Sequence, residues 1–213
     1  MQDHQGQPIS LDLLMEEGTP PLRSALIYDA HRDQWCFFRE PVQVITTTTL
    51  AEVLPLLHQV QKQVTTDRCY AVGFLSYEAA PAFDPHFQVI PAGNFPLLWF
   101  ALYPSLQPVR LPQTQFQSSL SPLYWSASDS PQDYQAAFRS IKESIAEGLS
   151  YQVNYSFRLR TRLRQDPWTF FLQMEQAQAG KYGAYLQLEE WSICCASPEL
   201  FFVCREIKSS VAL

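Results

Sequence analysis

The sequence predicts an α+β fold built from antiparallel strand neighbours. Apolar runs of strand length, broken by turns and one helical stretch, fill residues 22–103. Beyond residue 130 the order becomes helix, strand, helix, hairpin, which is not a regular βαβ repeat. With 46% hydrophobic and 14% aromatic residues in a chain of 213, there is material for a packed core, in one large domain or two small ones. That composition also excludes a disordered chain, which needs low hydrophobicity and dense charge.

Taken in order, Ser24–Tyr28 reads as a strand, Asp29–Asp33 as a turn and Gln34–Phe38 as its partner strand. Val42–Thr48 is β-branched and extended. Leu50, Val53, Leu54, Leu57, Val60 and Val64 keep helical spacing, so a helix is expected over 50–64. Pro55 falls inside it, which a helix tolerates near its first turn or with a kink. Tyr70–Tyr77 and Leu97–Tyr103 are further strands. The second is apolar on both faces and therefore expected at the centre of a sheet. Residues 104–130 carry Pro104, Pro108, Pro112 and Pro122 among Gln and Ser, and read as a linker or a loosely paired edge region. The expected division is thus an N-terminal domain over 1–103, a linker over 104–130, and a second domain over 131–213.

The second domain opens on a helix signature. Ser130 can cap, Pro131 suits the first helical position and Asp133 closes a capping box. Tyr134, Phe138, Ile141 and Ile145 form one stripe, and Gly148 suits a left-handed stop. Tyr151–Leu163 alternates as a strand, with Arg158, Arg160 and Arg162, and then Arg164 at its exit, on one side. This is an anion-binding face or a solvated face that discourages edge pairing. Asp166 and Pro167 start another helix with Phe170, Phe171 and Met174 inward and Gly180 near its end. Tyr182–Leu188 and Trp191–Cys204 then form a hairpin around Glu189–Glu190.

Charge and motifs exclude several classes of function. A net charge of -6 argues against nucleic acid, which needs basic patches. No apolar run approaches the ~20 residues of a membrane span. Met1–Gln5 lacks the basic and apolar regions of a secretory signal, so the cytoplasm is the expected address. Five cysteines without a Cys-x-x-Cys pair read as reduced thiols, and four histidines without ligand spacing give no metal site. Neither a glycine cradle for phosphates nor a Gly-x-Ser-x-Gly elbow is present.

Ser197-Pro198-Glu199 interrupts an apolar strand at a position where proline implies an edge or a bulge. Residue types leave Glu199 two readings. It faces outward at the bulge, or it is partly desolvated by Leu200, Phe201 and Phe202, which would suit a general acid.

Three stretches add a resemblance. Gly73-Phe74-Leu75-Ser76-Tyr77-Glu78-Ala79-Ala80-Pro81-Ala82-Phe83-Asp84, then Ile145-Ala146-Glu147-Gly148 with Tyr151-Gln152-Val153-Asn154-Tyr155-Ser156, then Ala196-Ser197-Pro198-Glu199-Leu200-Phe201 occur in the order of the chorismate-utilising enzymes. The chain resembles the aminodeoxychorismate synthase component I side of that family, which also contains anthranilate synthase component I. The resemblance implies a two-layer α/β sandwich of the family type, of which this chain holds the N-terminal portion. It implies that the chain stops inside its catalytic domain and is inactive alone. It further implies chorismate as substrate, a glutamine amidotransferase subunit that supplies ammonia, and Mg2+ dependence with ligands outside this chain. The expected reaction replaces the 4-hydroxyl of chorismate by an amino group, on the route to p-aminobenzoate and folate. Glu199 is then the catalytic acid, helping to protonate the departing hydroxyl.

Departures from the family pattern qualify that expectation. Its Pro-Ile-Lys-Gly-Thr segment, whose lysine is a nucleophile, has no counterpart, since Lys208 lies too early. Gln178-Ala179-Gly180-Lys181-Tyr182 stands where relatives carry a proline-rich piece of a tryptophan pocket, and Leu13-Leu14-Met15-Glu16 does not restore one. Two alternatives remain: an anthranilate synthase fragment, and a non-catalytic truncation product that only binds a partner. On the truncated reading Trp168, Phe170, Phe171, Tyr185, Phe201 and Phe202 are expected to lack many of their packing partners.

Overall fold

In a computed structural model of the chain, the described residues are 8–15, 18–90, 93–113, 123–178 and 180–204. The elements in chain order begin with β1 (Ile9–Ser10), a 3-10 helix (Leu11–Leu14), β2 (Ser24–Asp29), β3 (Gln34–Phe38), β4 (Gln43–Thr47) and α1 (Leu50–Asp67). Next come β5 (Tyr70–Leu75), a second 3-10 helix (Tyr77–Ala82), β6 (Leu98–Tyr103), β7 (Gln107–Arg110) and β8 (Ser126–Ala127). The chain continues through α2 (Pro131–Ala146), β9 (Leu159–Arg160), α3 (Pro167–Gln178), β10 (Tyr182–Gln187) and β11 (Ser192–Ser197). These elements form an α+β structure in two compact units. One combines Met1–Gln115 with Pro167–Leu213, and the other is Phe116–Asp166.

This division differs from the expected one at 103 and 131. A six-stranded sheet in the order β1-β7-β3-β2-β10-β11 joins early and late parts of the chain, because β10 pairs antiparallel with β2. Tyr185 lies opposite Leu26 and Leu186 opposite Ala25. Composition along the chain carries no trace of a pairing between residues this far apart. The expected linker also contains β7, which pairs with β3 through Trp35↔Val109 and Cys36↔Pro108. Proline has no N–H to give a ladder. Here Pro108 pairs with Cys36 of β3, while β1 pairs with Val109 and Arg110 beyond it.

Strict alternation gives the large sheet two apolar faces. Leu26, Trp35, Phe37, Val109 and Tyr185 form one face and cluster with Trp168, Phe171 and Leu172 of α3. Ala25, Cys36, Phe38 and Leu186 form the other face and cluster with Trp99, Ala101 and Tyr103 of β6. β6 lies at the centre of a three-stranded antiparallel sheet, β4-β6-β5, as its two-sided apolar sequence predicts. Its opposite face, Leu98 and Leu102, packs with Ile45 against Val53 and Val60 of α1. The first unit therefore stacks four layers, helix–sheet–sheet–helix, where two were expected. Each fully buried Leu, Phe or Val in that stack contributes about 1.5–3 kcal/mol.

Burial also corrects one expectation about lost partners. Trp168 and Phe171 lie 5.6 Å apart between ring centroids, and Tyr185 sits 5.2 Å from the first and 5.3 Å from the second, all three buried. Phe170 is partly buried. Phe201 is 95% exposed and Phe202 67%, as the expectation had them.

Among helices, α1 runs three residues past its expected end and stops where Arg68 turns left-handed at φ 51°. Pro55 lies inside it, at the one place where the helix forgoes a backbone donor. In the second unit α2 starts as expected, since Ser130 Oγ accepts from the Asp133 N–H at 3.1 Å and Asp133 Oδ2 accepts from the Ser130 N–H at 3.2 Å. Gly148 ends the helix region at φ 75°. Tyr134 stacks on Phe138 and meets Tyr155 and Phe157 at centroid distances of 5.8 and 6.0 Å. No residue of α2 is buried.

The expected strand over 151–163 forms only at Leu159–Arg160, which pairs with Ser126–Ala127. A strand owes its stability to cross-strand neighbours, and this ladder offers two. The expected row of arginines on one strand face is therefore not assembled, although Arg158, Arg160, Arg162 and Arg164 are all exposed.

Gly73 lies opposite Phe100 in the β5–β6 ladder, where an added Cβ would stand 2.0 Å from the Trp99 carbonyl oxygen and 2.7 Å from Phe100 Cα. Gly73→Ala should lower stability by about 3 kcal/mol, because backbone has to move to admit the methyl group. A clear fall in the urea midpoint is the expected reading; an unchanged midpoint contradicts the close approach.

Candidate active site

The β10–β11 hairpin positions the Ser-Pro-Glu segment. Its register runs from Gln187↔Ser192 at the turn to Tyr182↔Ser197 at the open end. The turn closes through the Leu188 N–H donating to the Trp191 carbonyl at 2.8 Å. Gln187 then gathers the neighbouring groups. Its Oε1 accepts from the Ser192 hydroxyl at 3.0 Å and from the Tyr185 hydroxyl. Arg23 ties the turn to the start of β2, with its N–H on the Gln187 carbonyl at 2.8 Å and its Nε on Glu189 Oε1 at 2.6 Å.

On β11 the neighbouring cysteines point to opposite faces, as alternation requires. Cys194 packs on the α3 side and its Sγ lies 3.5 Å from the Pro167 carbonyl. The Cys195 Sγ lies 3.9 Å from the Tyr182 carbonyl. All five cysteines are free thiols, in keeping with the reduced reading. Burial is the first cause that pushes the Cys36 thiol up.

The strand expected to reach Val203 ends at Ser197. Pro198 cannot donate to a ladder, and the chain turns instead. The Ser197 hydroxyl donates to the Glu199 carbonyl at 3.0 Å and accepts from the Glu199 N–H at 3.3 Å. Gly180, just past α3, comes close to this end, since an added Cβ there would lie 2.9 Å from the Ser197 carbonyl oxygen. Glu199 is exposed, and so are Leu200, Phe201, Phe202 and Val203. Of the two readings open for Glu199, the outward-facing one matches the structure. The desolvation that would suit an acid is missing, because the apolar residues beside it face solvent too. Among the described residues the Glu199 carboxylate has no hydrogen-bond or ion-pair partner.

The other two motifs lie elsewhere. Gly73–Asp84 spans the end of β5 and the second 3-10 helix, where Ala79 is buried and Tyr77 is 83% exposed. Tyr151–Ser156 follows α2 in the second unit, and the Tyr155 hydroxyl donates to Asp129. An apolar cleft of about 350 Å³ opens in that unit beside Asp129, Tyr134 and Phe157. Lys208, Glu16 and Ala179 lie outside the described residues.

One acidic residue escaped the reading of the sequence. Trp168, Phe171 and Leu172 form the buried stripe of α3, and the next position on that stripe, three and seven residues on, is Glu175. Its Oε2 is buried without a hydrogen-bond partner among the described residues, and burial raises its carboxyl above the usual range. Spacing from Trp168 was the signal that could have found it. Nearby Tyr28 is pushed up to about 12, first by its hydrogen bond to Asp33 and by burial, with the Glu175 charge the smallest of its causes.

Among the described residues no three His, Cys, Asp or Glu side chains come together as a cation site, and no helix is long and apolar enough to cross a membrane. Residues 105–211 match the family model described as chorismate binding enzyme. Three curated relatives are each named aminodeoxychorismate synthase component 1. That of Escherichia coli (strain K12) is 35% identical over 80 residues, covering 38% of this chain and 18% of the relative. The Klebsiella aerogenes protein is 33% identical over 82 residues, 38% of this chain and 18% of its own length. The Bacillus subtilis (strain 168) protein is 34% identical over 67 residues, 32% of this chain and 14% of the relative. The match thus spans less than a fifth of each relative.

With Glu199 exposed and without a partner among the described residues, Glu199→Gln should leave the stability of this chain within about 0.5 kcal/mol. Superimposable urea curves are the expected result. A larger loss would reveal contacts to Glu199 that the described residues do not supply.

Proposed function

Because the chain belongs to the family of chorismate binding enzymes, we propose that it carries part of an aminodeoxychorismate synthase component 1. The reaction on this reading replaces the 4-hydroxyl of chorismate by the amino group of ammonia and releases water. The observation that carries it is the Ser197-Pro198-Glu199 turn at the end of β11, within the matched residues. All the relatives described above bear the same name, which favours the 4-amino product over anthranilate. "Component 1" in those names implies a second component, and a glutamine amidotransferase that releases ammonia fits this need. The cytoplasm, where chorismate chemistry would find soluble partners, is the matching address.

Glu199 is the acid in this scheme. Its proton goes to the oxygen of the departing hydroxyl as the carbon–oxygen bond breaks, and the ring carbon is left open to a nitrogen nucleophile. An acid of this kind gains strength of purpose from a desolvated site, which holds its proton near neutral pH. Glu199 is exposed in this chain. For that reason the chain by itself is proposed to be inactive. Mg2+ belongs to the reading through the family resemblance. The described residues gather no set that could hold it, so no step here runs through the metal.

A second reading keeps the fold and drops the chemistry: the chain binds a partner and turns nothing over. The run Leu200–Val203, apolar and exposed, favours it.

The test supplies chorismate, ammonium and Mg2+ and separates products by chromatography. This chain alone should give none. A chimera that continues past residue 204 with the C-terminal part of the Escherichia coli relative should give 4-amino-4-deoxychorismate. In that chimera Glu199→Gln should lower kcat by about 10²–10⁴-fold. Anthranilate as the product would transfer the assignment to the sister enzyme. Turnover by this chain alone would overturn its proposed inactivity, and a fully active Glu199→Gln chimera would remove Glu199 from the chemistry.

A further inference from the structure

Glu175 continues the inward stripe of α3 and is half-buried, yet carries an ionisable group. Opposite it on β10 stands Gly183, and the two residues fit each other. A Cβ added at Gly183 would lie 2.8 Å from Glu175 Oε2 and 2.6 Å from Trp35 Cη2. The missing side chain at the second position of β10 is what leaves room for the carboxylate against the sheet. Trp35 walls the space and is itself in edge contact with Tyr28 at 5.2 Å and with Phe171 at 5.8 Å. Oε2 is buried in this space and meets no donor among the described residues.

We propose that Glu175 and Gly183 form a pH-sensitive latch between α3 and the six-stranded sheet, closed when the carboxyl is neutral and loosened when it ionises. A neutral carboxyl in this slot costs little beyond a missing hydrogen bond at Oε2, whereas a carboxylate there loses the hydration of that one oxygen with nothing in return. α3 packs on both strands of the hairpin, so the latch bears on the element that leads into Ser197-Pro198-Glu199. It rests on the geometry of the first unit alone and stands whether or not Glu199 is a catalyst.

The sign follows from linkage. The folded carboxyl binds its proton more tightly than the unfolded one, because burial alone raises it. Docking of α3 is therefore firmest below the ordinary carboxyl range. It weakens as pH rises through the window up to the raised value, and is level above that. Titratable or charged groups on the surrounding elements are Asp12 of the first 3-10 helix, Tyr28 and Asp29 of β2, Asp33 before β3, and Arg110 of β7. Among the described residues they continue with Cys36 of β3, which lies on the opposite face of the sheet, Lys181, Tyr182 and Tyr185 around β10, and Cys194 and Cys195 of β11. Tyr28, raised to about 12, stays neutral throughout the window. No cation is among the causes acting on Glu175.

Hydrogen exchange of the whole chain, read by mass spectrometry from pH 4.5 to 7.5 and corrected for intrinsic rates, tests the latch. In the unmodified chain, protection of α3 should fall with rising pH, by up to about tenfold per pH unit inside the window. In Glu175→Gln the slope should vanish and α3 should be the better protected of the two at pH 7. Glu175→Met should act in the same direction, since an unbranched apolar chain fits the same slot. A flat profile in the unmodified chain, the same slope in Glu175→Gln, or weaker protection at pH 7 in both variants would overturn the proposal.

Discussion

The pairing of β10 with β2 is the constraint on which the rest of the structure depends. Without it the chain would contain an N-terminal sheet and a separate hairpin, each with an apolar face open to water. With it, Leu26 and Tyr185 fall side by side on one face and Ala25 and Leu186 on the other. The first face makes a bed for α3, and the second meets β6. Loop-closure entropy opposes so distant a pairing, and area buried on both faces offsets it. Arg23 fastens the same junction. Its carbonyl accepts the Tyr103 hydroxyl at 2.9 Å while its side chain reaches Glu189, so one residue at the start of β2 holds both the second sheet and the hairpin turn.

This explains which parts of the fold were legible in the sequence. β3, the capping box of α2 and the central place of β6 rest on information within a few residues: alternation, a cap, a run apolar on two faces. β7 was only half legible, because its prolines and glutamines suit a linker as well as a loosely paired edge, and its strand character comes from β3 beside it. Tyr151–Leu163 is the converse case. Its alternation is regular, but alternation describes a face that wants covering and does not supply the neighbour. The sites divide likewise. Ser197-Pro198-Glu199 was readable as an interruption of a strand, and the structure adds that the strand ends there. Glu175 was hidden, since a charged residue in a helix is normally taken for its solvent face.

Two glutamates in the same unit then show how little residue type decides. Glu199 has the sequence context of an acid and the surroundings of a surface residue. Glu175 has no motif, but it has a buried oxygen, an apolar wall and a raised proton affinity. Removing water from a carboxyl raises its proton affinity, and of these two only Glu175 has an oxygen so buried. For Glu199 to act as the family resemblance implies, further surface has to cover Leu200, Phe201 and Phe202 and desolvate the turn between them. The covering would do two things at once. It would bury apolar area that stands exposed, and the free energy from that burial would offset the cost of holding a carboxyl away from water. Packing and chemistry at this turn are thus one problem: the same three apolar side chains that make the end of β11 costly to expose are those able to make its glutamate an acid.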